Sequence, residues 1–327
     1  MRNKPSDLIY CGVDKKKIAS SNPTINSENL KHFYTWICER YKVHLKKDIL
    51  HEKPLWTNDE IINKYRFTNV RREHDRESIW LIENISKNIG MSYENKILNT
   101  ILFRLINKSA TIKIIGLLDF YNLNLNKEKE KLEIFKRKDP KYVYFSNAFY
   151  TSGPKSSANK IFGKENNVLN MIKLVKMYKE ERLIEKIKQS KNQKEVFSNI
   201  LNCRGIGRFL AYQIYVDLTY IREFPYSENE FVVAGPGCQR GLKNIFKSTD
   251  GLSNEELIFW LRDNQIVLFK KFGYEPEKLF SDLEKEDRVL NVMSIQNCLC
   301  EISKYIRAVN KEGRPRIKYS INPSSQS

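Results

Sequence analysis

A chain of 327 residues with 41% hydrophobic side chains can hold one large domain or two small ones, and it has enough apolar surface to bury a core. Lys and Arg number 57 against 39 Asp and Glu, giving a formal charge of +18 that implies a polyanionic partner, although a lysine-rich, AT-biased genome would also raise the count. No run of about eighteen apolar residues could cross a bilayer, and the opening MRNKPSDLIYCGVDKKK lacks a signal peptide's apolar core, so a membrane protein is excluded and nucleic acid in the cytoplasm is the expected setting.

The 3.6-residue apolar period dominates and convincing alternation is absent, which predicts an all-α fold. After an N-terminal extension (1–27), helices are expected at 28–48 and, behind a Thr57-Asn58-Asp59-Glu60 capping box, over IINKYRF. In the next helix, 73–90, an apolar stripe runs through Ile79, Ile82, Ile85 and Ile89, and stepping back by four puts Asp75 and Arg71 on the same line. Such an inward charged pair is either a buried ion pair or the lining of a pocket. Arg72 and Arg76 form a second line, suited to a phosphate or a base edge. Helices follow at 94–107 and 110–122. The stretch 139–163, rich in Pro, Gly, Ser and aromatics, reads as a long loop that loosely divides a 28–320 domain into two lobes. The lysine-heavy helix 164–189 is a solvated face or lies along a nucleic-acid backbone. Helices at 193–203, 207–221 and 238–247 precede a second capping box, Ser253-Asn254-Glu255-Glu256, and a last helix at 288–308 leads to a disordered tail at 321–327.

Six scattered cysteines without a Cys-x-x-Cys pair read as reduced thiols, and four histidines without ligand spacing make a catalytic metal unexpected; no cofactor is expected either.

Residues 203–218, CRGIGRFLAYQIYVDL, place Gly-Ile-Gly between two apolar helices, the pattern of a helix-hairpin-helix element. Without Cβ atoms, Gly205 and Gly207 would let the chain turn tightly and bring amides and a helix N-terminus against a phosphate, with Arg204 and Arg208 at the rim and Ile206 plugging the hairpin. An ordinary helix-turn-helix connection would look similar. Beyond the turn, Phe209, Gln213, Asp217 and Tyr220 share a face, on which Gln213 could read a base edge with Asp217 behind it, or which is merely a polar seam. Gly235-Pro236-Gly237, with Arg240 a turn later, reads as a second phosphate or base-approach loop, or simply as a tight turn.

Taken together, KYRFTNVRREHDRESIWLIENI (64–85), GIGRFLAYQIYVDLTY, FVVAGPGCQRGLKNIF (231–246) and VMSIQNCLCEISKYIRA (292–308) resemble the α-glutamyl/putrescinyl-thymine pyrophosphorylase family, which includes the helical domain of 5-hydroxymethyluracil DNA kinases. The resemblance covers roughly 30–320. It implies a remodelled helix-hairpin-helix DNA-glycosylase fold, and some bacterial members of the family remove hypermodified bases in anti-phage defence. The family's first motif stands here as Asn69 and Arg72, followed by Asp75 and Arg76; Gln213 and Asp217 follow the hairpin; Ala234 to Gly237 form the loop; Gln296, Asn297 and Glu301 lie near the end. Ser294 and Ser303 stand where acidic residues are expected, which puts an acidic role there in doubt.

Strand-cutting glycosylases carry a Schiff-base lysine where this chain has Phe209, so the expected enzyme is a monofunctional, metal-independent DNA N-glycosylase that flips a modified base from duplex DNA. FVVAGPGCQR contains no carboxylate, so the acid that stabilises the sugar cation must come from elsewhere. Asp217 and Asp75 are the candidates, with Glu230 and Glu301 behind them, and Asn69 and Arg72 beside them. Arg71, Arg76, Gln213, Phe209 and Glu301 are the expected base pocket. Two alternatives stand: a hypermodification enzyme that displaces pyrophosphate from a hydroxymethyl-pyrimidine in DNA, and a non-catalytic reader of modified DNA. A monomer on double-stranded DNA is expected in each case.

Overall fold

The computed structural model describes residues 10–146, 152–312 and 318. The first nine residues and the tail at 321–327 lie outside that range, as do 147–151 of the expected loop. The described chain is all-α, with one short two-stranded ribbon. In chain order, the helices begin with α1 (Lys15–Ser20), α2 (Ser27–His44), α3 (Glu60–Lys64), α4 (Arg76–Leu81), α5 (Tyr93–Ile106) and α6 (Ser109–Ile115). They continue with α7 (Leu125–Lys138), α8 (Ser152–Phe162), α9 (Asn167–Glu180), α10 (Leu183–Gln189), α11 (Gln193–Leu201) and α12 (Arg208–Leu218). The last four are α13 (Pro236–Ile245), α14 (Asn254–Lys271), α15 (Pro276–Leu279) and α16 (Val292–Val309). The ribbon pairs β1 (Thr24–Ile25) antiparallel with β2 (Phe246–Ser248). Two compact units result, one from Met1–Asp75 with Phe231–Ser327 and one from Arg76–Glu230, and the expected loop at 139–163 falls inside the second.

In the first unit, α13 packs along α16, and α2 and α14 complete the layer. The backbones of α13 and α16 approach so closely that a Cβ on Gly241 would lie 2.1 Å from the Leu299 carbonyl oxygen. The capping box at Ser253 forms as expected, its hydroxyl accepting from the Glu256 amide at 3.2 Å while Glu256 accepts from the Ser253 amide at 2.7 Å. Thr57 departs from expectation. Asp59 caps α3, accepting from the Ile61 and Ile62 amides at 2.9 Å each, while Thr57 accepts from the Asp59 amide at 3.1 Å and donates to Glu39. An aspartate two positions nearer the first free amides displaces the threonine.

The second unit is built on α5, in which every residue from Lys96 to Ile106 is buried, as a helix apolar on nearly all sides must be. It packs against α9, α12 and the turn that ends α4. The expected helix 73–90 is shorter, consisting of α4 and a π-helical turn at Ile82–Ser86. Its buried stripe is Ser78, Leu81 and Ile85, while Ile79 is 46% exposed and Ile89 fully so. A small polar residue on the inner face and an isoleucine on the outer one shifted the apparent period by one position. The expected loop is partly the helix α8, and helix 164–189 divides into α9 and α10 at Arg182, which adopts a left-handed conformation with φ of 63°.

Candidate functional site

The hairpin forms from α11, the turn at 202–207 and α12. Ile206 is buried and plugs it, and Arg204, Arg208 and Gly207 are exposed. The two glycines serve different ends. Gly205 has φ of +80°, and a Cβ there would meet Ser157 Cβ at 2.8 Å and the Pro154 Cα at 3.2 Å, so it permits both the turn and the contact with α8. Gly207 is the N-cap of α12, has no side-chain cap, and would have nothing within 4 Å of an added Cβ. The first turn of α12 therefore follows an exposed glycine that lies between two exposed arginines in the chain. Phe209, one residue on, is 40% exposed.

The face expected to hold Phe209, Gln213 and Asp217 runs from surface to core. Gln213 is 7% exposed and Asp217 entirely buried. Asp217 receives a two-pronged ion pair from Arg104 on α5, Nε at 2.5 Å and Nη2 at 2.8 Å, and Arg104 Nη1 donates to Asn107 at 2.6 Å. This carboxylate is committed to a guanidinium. Sequence reasoning missed Arg104, although a lone arginine within TILFRLI was a usable sign of a buried partner. Glu230 is likewise engaged, accepting from the Gln193 side chain and from the Ser227 amide.

In the first unit, residues 69–75 do not continue a helix. Arg71 is extended and is followed by a single 3-10 turn, Arg72–His74. Asp75 is exposed, not inward beside Arg71, because the extended backbone breaks the helical line on which that pairing rested. Arg71 is 3% exposed; it donates to the Asp287 and Val289 carbonyls, pairs with Glu73 at 3.1 Å and lies over the Phe280 ring. It pins a loop and does not line an open pocket. Arg76 is a surface residue beside Glu77, its side chain 87% exposed. Arg72 is half-buried.

Asn69 is a junction. Its carbonyl oxygen accepts from Arg40 of α2, its amide group donates to the His74 carbonyl at 2.6 Å, and its backbone oxygen accepts from Asn297 of α16 at 2.6 Å. Two of the resemblance's motifs thus meet directly, and Arg40 joins them without any signal in the sequence. On α16, Gln296 and Glu301 are buried; Glu301 Oε1 accepts from Lys304 at 2.6 Å, and its other oxygen is buried without a hydrogen bond. Ser294 and Ser303, in the places of expected acids, are buried as well. The N-terminus of α13 has Gly235 as N-cap without a side-chain cap, Gly237 packed 3.3 Å from Cys300 Cβ at its ideal Cβ position, and an exposed Arg240. Helix α16 supports both this N-terminus and the 72–74 turn.

A second feature missed in the sequence is the stack of His44 on His74, with ring centroids 4.2 Å apart and planes 20° from parallel. Burial, then the neighbouring His44, draws the His74 pKa down to about 4, and Glu73 and Asp282 only partly oppose it. A histidine whose folded pKa is depressed favours the folded state above its unfolded pKa, about 6.5, and that contribution is lost as the pH falls toward 4. The melting temperature is therefore expected to drop more between pH 7 and 4 for the native chain than for His74→Gln. Equal drops in thermal scans at matched ionic strength would contradict this.

A family described as "5-hmdU DNA kinase, helical domain" matches residues 27–314. The chain is 24% identical over 285 residues to a 5-hmdU DNA kinase of Bacillus phage SP10, covering 84% of this chain and 44% of that protein. It thus spans less than half the length of this curated relative. No solved structure matches. These findings overturn the expected hydrolase: the family and the relative are both named for a DNA kinase, a transferase, and not for an N-glycosylase. The carboxylate sought for a sugar cation loses its chemical reason with that class. Among the described residues no helix is long and apolar enough to cross a membrane.

Proposed function

Because the chain belongs to the 5-hmdU DNA kinase helical-domain family, we propose that it acts on 5-hydroxymethyl-pyrimidines in DNA as a hypermodification enzyme. In the proposed reaction the hydroxymethyl group carries pyrophosphate. An amine nitrogen attacks the exocyclic CH2 carbon, the C–O bond breaks, pyrophosphate leaves with the bonding electrons, and the nitrogen gives up a proton. The observation that carries the reading is the family match over 27–314, which takes in the hairpin and the three other motif segments.

The chain's own residues suit anionic substrates. The N-terminus of α12, with Arg204 and Arg208 exposed beside it, would hold backbone phosphate, and Phe209 would offer a face to a base. Arg72 and the N-terminus of α13, with Gly235, Gly237 and Arg240, would face the pyrophosphate oxygens, where a helix dipole and a guanidinium both stabilise the charge of the leaving group. Asn69, through Arg40, His74 and Asn297, would position Arg72 and not touch substrate.

The test is nucleoside mass spectrometry on duplexes carrying 5-hydroxymethyluracil, free, phosphorylated or pyrophosphorylated, incubated with the chain and a panel of amines. A new base adduct with released pyrophosphate is expected from the pyrophosphorylated duplex. Unchanged nucleosides in every case, or loss of the base, would overturn the reading. The Arg204→Ala, Arg208→Ala double variant should bind all duplexes more weakly, with a salt slope shallower by roughly 0.9 per lost phosphate contact.

A further inference from the structure

Chain reversals between helices are ordinarily polar, yet the one that follows α2 is not. Leaving its π-helical turn at Leu45–Ile49, the chain exposes Ile49 to 54%, Leu50 to 63% and, beyond a short bend, Leu55 to 70%. Every residue from 48 to 55 is exposed. These apolar side chains stand on a braced scaffold. The Leu50 amide donates to the Leu45 carbonyl at 2.8 Å, the Glu52 amide to the Lys46 carbonyl at 2.8 Å, and the Trp56 indole to the Glu52 carbonyl at 2.7 Å. The Lys47 ammonium lies 5.6 Å from the centre of the Trp56 ring, and Thr57, at the far end, is tied to Glu39 of α2. Three exposed aliphatic side chains within seven residues of a braced segment point to a surface that a partner covers.

Charge identifies that partner. Lys46, Lys47 and Lys53 flank the exposed apolar residues in the chain against two acids, Glu52 and Asp48, and Asp48 is held by His44 at 3.0 Å and Lys47 at 4.0 Å, which leaves Lys46 and Lys53 without an ion pair among the described residues. An exposed apolar segment with lysines on both sides in the chain matches the duplex, whose base steps accept aliphatic wedges while its phosphates attract the cations. We propose that residues 49–56 form a wedge that inserts Leu50 and Leu55 between base steps of double-stranded DNA, with Lys46 and Lys53 against the adjoining phosphates. The proposal rests on the reading of the chain as a DNA-acting enzyme but needs no turnover and no modified base.

The experiment uses the full chain and unmodified duplexes carrying a single 2-aminopurine, whose fluorescence rises on unstacking. The native chain is expected to raise it at one or two adjacent positions. Leu50→Ser combined with Leu55→Ser should abolish the rise and weaken binding about tenfold, while the melting temperature stays unchanged because both side chains are already solvated. Native fluorescence and affinity in the double variant would overturn the wedge. So would sedimentation showing a native dimer and a monomeric variant with identical DNA binding, which would assign the loop to a second copy of the chain. Absence of any base adduct in the nucleoside assay would leave these measurements untouched, so the two proposals fail separately.

Discussion

Asp217→Asn is expected to destabilise the folded chain by about 3–5 kcal/mol, the usual cost of removing one member of a buried ion pair. Asp217 is fully buried and Arg104 5% exposed, so the substitution leaves a guanidinium without its counter-charge where water cannot replace it. The amide can accept at one oxygen only, whereas the carboxylate accepts from Nε and Nη2 together. Denaturant unfolding monitored by circular dichroism checks the size of the loss. Joint replacement by Arg104→Met and Asp217→Leu should recover most of it, since apolar residues of similar volume remove both desolvated charges at once. Were Asp217→Asn to unfold like the native chain, the pair would be structurally idle.

Gly241→Ala is expected to cost at least as much. The new methyl carbon would sit 2.1 Å from the Leu299 oxygen, 2.9 Å from its carbonyl carbon and 3.1 Å from its Cα. All three are backbone atoms, so no rotamer change relieves the clash and α13 must move off α16. Overpacking ordinarily costs about 1–3 kcal/mol, and a clash with main chain belongs above that range. A melting temperature lowered by roughly ten degrees or more, or a chain that fails to accumulate in soluble form, is the expected result. Gly207→Ala is the control: with nothing within 4 Å, it should lose no more than about 1 kcal/mol through the weaker N-cap. Equal melting temperatures for the two variants would contradict the packing account.

The expected helix 73–90 shows how a local pattern can mislead: Ile79 and Ile89 carry the apolar signal but face solvent, while Ser78 and Ser86 are buried. Several other elements follow the pattern. The all-α class, α5 and α16, the hairpin with its buried Ile206 and the capping box at Ser253 all follow from spacings of three or four residues, and a helix brings residues at just those spacings together. The amino-acid sequence by itself therefore determined the helical class, the position of the hairpin and, through four motif segments, the family. Tertiary structure alone decided what the polar residues of those motifs do. Asp217 meets Arg104 across 113 positions, Asn297 meets Asn69 across 228, and Gly205 owes its small size to Ser157 and Pro154 of a helix placed in an expected loop. Charge pairing and close backbone approach depend on which segments the folded chain lays side by side, and the 3.6-residue period contains no record of that.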